Sequence, residues 1–104
     1  MEKNFEIHAV RDIIFNGNLK PSEKLTLIYL LDKCLLFGAV ADSDCLLGTY
    51  LGISERTTSS CIKKLKELNF IIVTIERNKK YNKRIINLNY EKLEKRIEDA
   101  KRYN

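Results

Sequence analysis

The sequence predicts a mainly helical α+β domain with one small β-hairpin towards its C-terminal end. Three observations carry that expectation. Apolar residues recur at three and four through most of the chain, a β-prone run Phe70-Ile71-Ile72-Val73-Thr74-Ile75 is too short for another helix, and a second such run, Arg84-Ile85-Ile86-Asn87-Leu88, follows a polar stretch. At 104 residues the chain has the size of one domain, taken as 1–104 with a core over 19–88 and a C-terminal helix over 89–102.

Element by element, Phe5, Ile7, Val10, Ile13 and Ile14 begin with a period near two and drift to a helical one. They predict a short extended start and a small helix closing at Asn16-Gly17-Asn18. A longer helix begins in Leu19-Lys20-Pro21-Ser22-Glu23-Lys24. Pro21 suits the first helical position there, and Glu23 suits the positive end of the helix dipole. It carries Leu25, Leu27, Ile28, Leu30, Leu31, Cys34, Leu35 and Leu36 and ends at Gly38, a good left-handed cap. Its apolar positions spread beyond one stripe, so it is either the centre of the domain, touched on both sides, or part of a dimer interface.

Ala39-Val40-Ala41 suits a short strand. Asp42-Ser43-Asp44 offers an N-cap for a short helix bearing Cys45, Leu46, Leu47 and Leu51, which stops at Gly52. Ile53 plugs the gap before Ser54 caps the next helix. From Ser54 to Leu68 the positions Thr58, Cys61, Ile62, Leu65 and Leu68 form one face, leaving Glu55, Arg56, Ser59, Ser60, Lys63, Lys66 and Glu67 on the other. Asn69 ends that helix, and Glu76 to Lys83 is expected as a polar loop joining the two strands. Asn89 then caps a helix with Tyr90, Leu93, Ile97 and Ala100 on one face. The pairs Glu91–Lys95 and Glu98–Arg102 support it by roughly 0.2–0.5 kcal/mol each.

Composition narrows the function. The apolar and charged fractions, 44% and 32%, are those of a soluble globular protein, and the start lacks the features of a secretory signal, so a cytoplasmic location without membrane contact is expected. Cys34, Cys45 and Cys61 are odd in number and far apart, and each sits among apolar neighbours. They are expected to pack in the core, without disulfides or a metal site, since the only histidine, His8, is distant from all three. No Gly-rich phosphate loop, no G-x-S-x-G and no second histidine is present, so neither an enzyme nor a cofactor is expected.

The order helix, short strand, helix, tight Gly turn, helix, hairpin is that of a winged helix-turn-helix. Ser43-Asp44-Cys45-Leu46-Leu47-Gly48-Thr49-Tyr50-Leu51-Gly52-Ile53-Ser54-Glu55-Arg56-Thr57 resembles the S-x-x-x-L-A-x-x-L-G-[VI]-S-x-R-T run of bacterial winged-helix proteins. It is most similar to the N-terminal domains of plasmid and phage replication initiators and related small regulators. Thr58 to Ile71 resembles the V-x-R-x-I-x-x-L-x-x-x-G-[LF]-I that follows, and Leu19 to Leu25 the L-S-P-x-x-K-L lead-in, so the likeness covers roughly residues 19 to 76. Gly48 stands where the family usually has Ala, Lys20 where it prefers a Ser cap, Asn69 where Gly is usual, and Ser60 where Arg is common.

What the resemblance implies is a double-stranded DNA binder whose recognition helix, 54–68, enters the major groove. Ser54, Glu55, Arg56, Thr57, Ser59, Ser60 and Lys63 occupy its N-terminal half. Arg56 suits guanine or phosphate, Ser59 and Ser60 allow close approach, and Thr57 and Lys63 suit phosphate. The wing, 76–84, adds Arg77, Lys79, Lys80, Tyr81, Lys83 and Arg84. From Glu55 to Arg84 nine Lys or Arg face three acids, a surplus of six against +5 for the whole chain. The expected role is regulation of plasmid or phage replication or of transcription. The alternatives are a partition adaptor that binds centromere DNA and hands it to a filament-forming NTPase, and a winged helix used only for protein contact. A homodimer is expected, and the C-terminal helix is the candidate surface for a protein partner.

Overall fold

A computed structural model describes residues 10–93. Residues 10–14 are helical, and three helices follow: α1, Pro21–Phe37; α2, Asp44–Leu51; and α3, Glu55–Glu67. An antiparallel hairpin of β1, Ile71–Arg77, and β2, Asn82–Leu88, comes next, and residues 90–93 begin a further helical turn. The α+β class is therefore as expected. The extended start at Phe5 and Ile7, the positions Ile97 and Ala100, and both charge pairs of the C-terminal helix lie outside the described residues.

Local chemistry sets the helix ends. Lys20 has no side-chain acceptor, so the first turn of α1 is closed from the other side: the Lys20 N–H donates to Glu23 Oε1 at 2.8 Å, and Pro21 occupies the position where a missing N–H costs nothing. Ser43 and Ser54 cap α2 and α3 by accepting from the Leu46 and Thr57 N–H groups at 3.2 and 3.0 Å. Gly38 and Gly52 end α1 and α2 at φ 87° and 72°. Asn69 takes φ 63°, and the N–H groups of Asn69 and Phe70 donate back to Lys66 O and Leu65 O. That reciprocal closure of the last turn, usually built on glycine, is achieved here with asparagine.

Around α1 the core gathers Leu27, Leu30, Leu31 and Cys34 with Leu47 of α2, Ile62 and Leu65 of α3, Phe70, and Ile71, Ile86 and Leu88 of the hairpin. Ile13, Leu19, Val40 and Leu93 seal its edges. Leu51 and Ile53, expected inside, are half-buried at the rim. Leu25 and Leu36 are exposed on one side of α1 and Phe37 at its C-terminal end, while Ile28, Tyr29 and Leu35 pack partly against the core. Tyr29 on that helix stacks on Tyr50 of α2, with ring centroids 6.1 Å apart.

Two of the three cysteines pack as expected. Cys34 is buried, and its thiol donates to Ile86 O at 3.7 Å; burial pushes it above its ordinary value of 9.0. Cys61 is buried too, but Cys45 is exposed. The correction follows from its place in the first turn of an eight-residue helix whose inward face is Leu47 and Gly48.

The hairpin is longer and its loop shorter than expected. Glu76, Arg77, Asn82 and Lys83 are strand residues, with Glu76 opposite Lys83 and Arg77 opposite Asn82, so the connection is only residues 78–81. Polar residues stay in this ladder because the far end of a two-stranded ribbon is solvated on both faces. Asn78 closes the turn, its side-chain oxygen accepting from the N–H groups of Lys80 and Tyr81 at 2.7 and 3.2 Å. The strand expected at Ala39-Val40-Ala41 is a single bridge: Val40 and Ile86 exchange backbone hydrogen bonds of 2.9 and 2.8 Å.

Candidate nucleic-acid interface

The corner between α2 and α3 holds the polar face of α3 outward. A Cβ on Gly48 would lie 2.7 Å from Ile53 O and 2.9 Å from Thr58 Oγ1, so the two helices are closer than a side chain there permits. Buried Thr58 fixes the same corner by donating to Ser54 O at 2.9 Å. With Thr58, Cys61, Ile62 and Leu65 buried, the helical period leaves Glu55, Arg56, Ser59, Ser60 and Lys63 exposed on one surface.

Two shallow grooves run along that surface. One is lined by Asp44 together with Ser54, Glu55, Arg56, Ser59, Ser60 and Lys63. The other lies between α3 and the start of α1, where Lys20 and Ser22 join Arg56, Thr57, Ser60 and Cys61. Arg56 and Ser60 belong to both. Six of the seven residues expected to read or hold DNA from α3 thus line one groove. Thr57, the seventh, is half-buried in the other, with its Oγ1 accepting from the Ser54 hydroxyl at 2.9 Å.

Lys20 and Ser22 escaped the sequence reading, which treated residues 19–24 only as a helix start. The signal was there: a basic and a hydroxyl residue flank Pro21 at a helix N-terminus, where unpaired N–H groups and the helix dipole favour anions. Asp44 escaped as well, and it adds a second carboxylate, beside that of Glu55, to a groove that also holds Arg56 and Lys63.

The hairpin divides by face. Ile71, Val73, Ile75 and Arg77 of β1 stand opposite Leu88, Ile86, Arg84 and Asn82 of β2, and the buried members of this set mark it as the inner face. Arg77, Lys79, Lys80, Tyr81 and Lys83 are all exposed at the far end. Arg84 is different. It shares its face with buried Ile86 and Leu88, and its guanidinium reaches inward: Nη1 pairs with Asp44 Oδ1 at 2.7 Å and Nη2 donates to Asp42 O at 2.8 Å. Both ends of the Arg84 fork are therefore engaged within the chain, a pairing that the expectation of Arg84 as a wing contact did not include.

A second cation missed from sequence is Lys92. Its ammonium donates to Leu68 O, at the C-terminal end of α3, and lies 4.8 Å from the centre of the Phe70 ring. Together with the Asn89 amide, which donates to Asn69 O at 2.9 Å, it ties the last helical turn to the end of α3.

Among the described residues no group of three or more His, Cys, Asp and Glu is gathered to hold a metal, and no helix is long and apolar enough to cross a membrane. The chain matches no protein-family model and no curated protein.

Proposed function

We propose that this chain is a winged helix-turn-helix protein that binds double-stranded DNA, with α3 as recognition helix and the hairpin as wing, and that it regulates plasmid or phage replication or transcription. The observation that carries the reading is the shared surface of α3 and the N-terminus of α1. Arg56, Ser59, Ser60 and Lys63 stand exposed in grooves that Lys20 and Ser22 extend, on a helix turned outward by a corner too tight for any side chain at position 48.

In this reading the N-terminal half of α3 enters the major groove. Arg56 and the two serines face base edges, and Lys63, Lys20 and the α1 N-terminus face phosphates. Lys79 and Lys80 at the hairpin tip hold the neighbouring backbone, so affinity falls steeply with salt. Two copies placed on one side of the duplex would read half-sites about 34 Å apart, one helical turn. The exposed apolar residues Leu25, Leu36 and Phe37 of α1 are a surface available for such pairing.

The test is selection from a pool of randomised duplexes at near-physiological salt, followed by sequencing of the bound fraction. A single enriched motif, or two half-sites one turn apart, is the expected result. An unenriched pool overturns sequence-specific reading.

A further inference from the structure

We infer that Arg84 is a positioning residue of the DNA-binding surface and not one of its phosphate contacts: it clamps the hairpin to the start of α2 and cancels the one carboxylate of α2 that lines the α3 groove. The inference rests on the DNA-binding reading given above.

Three features of the site converge on this role. First, strand alternation puts Arg84 on the inner face of β2 with Ile86 and Leu88, so its side chain leaves the ribbon towards the helices, away from the exposed tip. Second, both arms of the fork are used, at 2.7 Å to the Asp44 carboxylate and 2.8 Å to the Asp42 carbonyl, and the two partners sit forty and forty-two residues earlier. With the Val40–Ile86 bridge two residues further along β2, this makes a pair of anchors on the segment leading into α2. A planar fork held at two points fixes an angle as well as a distance, and lysine cannot reproduce that.

Third, the partner is a groove residue. Asp44 is the first residue of α2 and lines the same groove as Arg56 and Lys63. Left unpaired, its negative charge would stand beside the path of an approaching phosphate and repel it. Paired with Arg84, and with both side chains about four-fifths shielded at 24% and 21% exposure, it leaves Glu55 as the one groove carboxylate without an ion pair among the described residues, against Arg56 and Lys63. Arg84 thereby acts on DNA through Asp44 and through the orientation of the wing, while Lys79 and Lys80 at the tip supply the direct contacts.

The experiment compares the wild-type chain with Arg84→Gln, Asp44→Asn and the double variant. Binding of a fluorescein-labelled mixed-sequence duplex is followed by anisotropy across a salt series, and thermal unfolding is followed in parallel. If Arg84 positions, Arg84→Gln weakens binding about five- to tenfold with a salt slope close to wild type. The double variant, which removes the stranded carboxylate, recovers to within about threefold. If Arg84→Gln and the double variant are equally weak and both lose about 0.9 from the salt slope, Arg84 is a phosphate contact and the inference is overturned. Should the wild-type chain bind no duplex at all, the DNA reading fails separately, and unfolding still decides the clamp. A double variant no less stable than the weaker single variant supports it, whereas fully additive losses overturn it.

Discussion

The α2–α3 corner and the hairpin solve opposite problems with opposite means. The corner is set by close approach and local geometry: a glycine with no room for a Cβ, a buried threonine bonded to the preceding cap residue, and a left-handed Gly52 between the helices. Among the described residues the hairpin is held along its inner face, by Ile71, Ile86, Leu88, the Val40 bridge and the Arg84 fork, and from Asn78 to Lys83 every residue is exposed. If α3 reads DNA as proposed, its orientation has to be closely fixed, while the basic tip needs only to hold its charge near the duplex. The corner is therefore a matter of packing and the tip a matter of charge.

Substitutions that separate base from tip test this division most strongly. Ile86 is fully buried, and Ile86→Ala should destabilise the fold by about 2–5 kcal/mol, measured by denaturant unfolding. Ile72→Ala, on the outer face where the side chain is 49% exposed, should cost less than about 0.5 kcal/mol. Equal losses would mean that the ribbon packs as one body and has no free end.

Within the corner, Gly48→Ala sets two effects against each other. A helical Ala gains about 0.5–1 kcal/mol over Gly, while forcing a methyl against a backbone oxygen costs about 1–3 kcal/mol, so a net loss of up to about 2.5 kcal/mol, centred near 1, is expected. A stabilised variant would show that the corner is looser than its contacts indicate.

The tip should give the reverse signature. Lys79→Ala with Lys80→Ala is expected to leave the unfolding temperature unchanged, to weaken binding to all duplexes by about tenfold, and to lower the salt slope by about 0.9 per lost contact. A fall in stability comparable to that of the corner variant would erase the contrast between the two regions.

The smallest effect concerns pH. Burial raises the Cys34 thiol above 9.0, so the folded state favours the protonated form that donates to Ile86 O. Its contribution to stability is complete below about pH 9, where the unfolded thiol is also protonated, and is lost as pH rises through the folded value. Tyr29 and Tyr90, each raised above 10.0 by burial first and by neighbouring groups second, act in the same direction at still higher pH. Unfolding temperature should therefore fall as pH rises above about 9, and less so in Cys34→Ala.

Much of this architecture was legible because its determinants are local. Ser43, Ser54, Gly38, Gly52 and Asn69 punctuate the helices in the sequence as they do in the fold, and the spacing of Thr58, Cys61, Ile62 and Leu65 separates the two faces of α3 without reference to any other element. What escaped was long-range or marginal. Arg84 reads as one more wing cation until Asp44 is brought beside it across forty residues, although its register with Ile86 already hinted at an inward side chain. Lys92 is likewise silent until the end of α3 lies under it. In α2, eight residues give barely two turns, too few for periodicity to separate Cys45 from Leu47. Polarity from Glu76 to Lys83 does not mark a loop here, because a solvated ribbon carries charged residues in regular strands.

The close approach at Gly48 also constrains how this chain can change over generations. Every single-base change that replaces this glycine installs a Cβ 2.7 Å from a backbone oxygen, so the position is surrounded in mutational space by less stable neighbours. Alanine at this place would be accommodated best where changes around Ile53 and Thr58 spread the two helices. Descendants that keep the glycine and those that lost it would then sit on separate branches, with the spacing of their helices as the inherited mark.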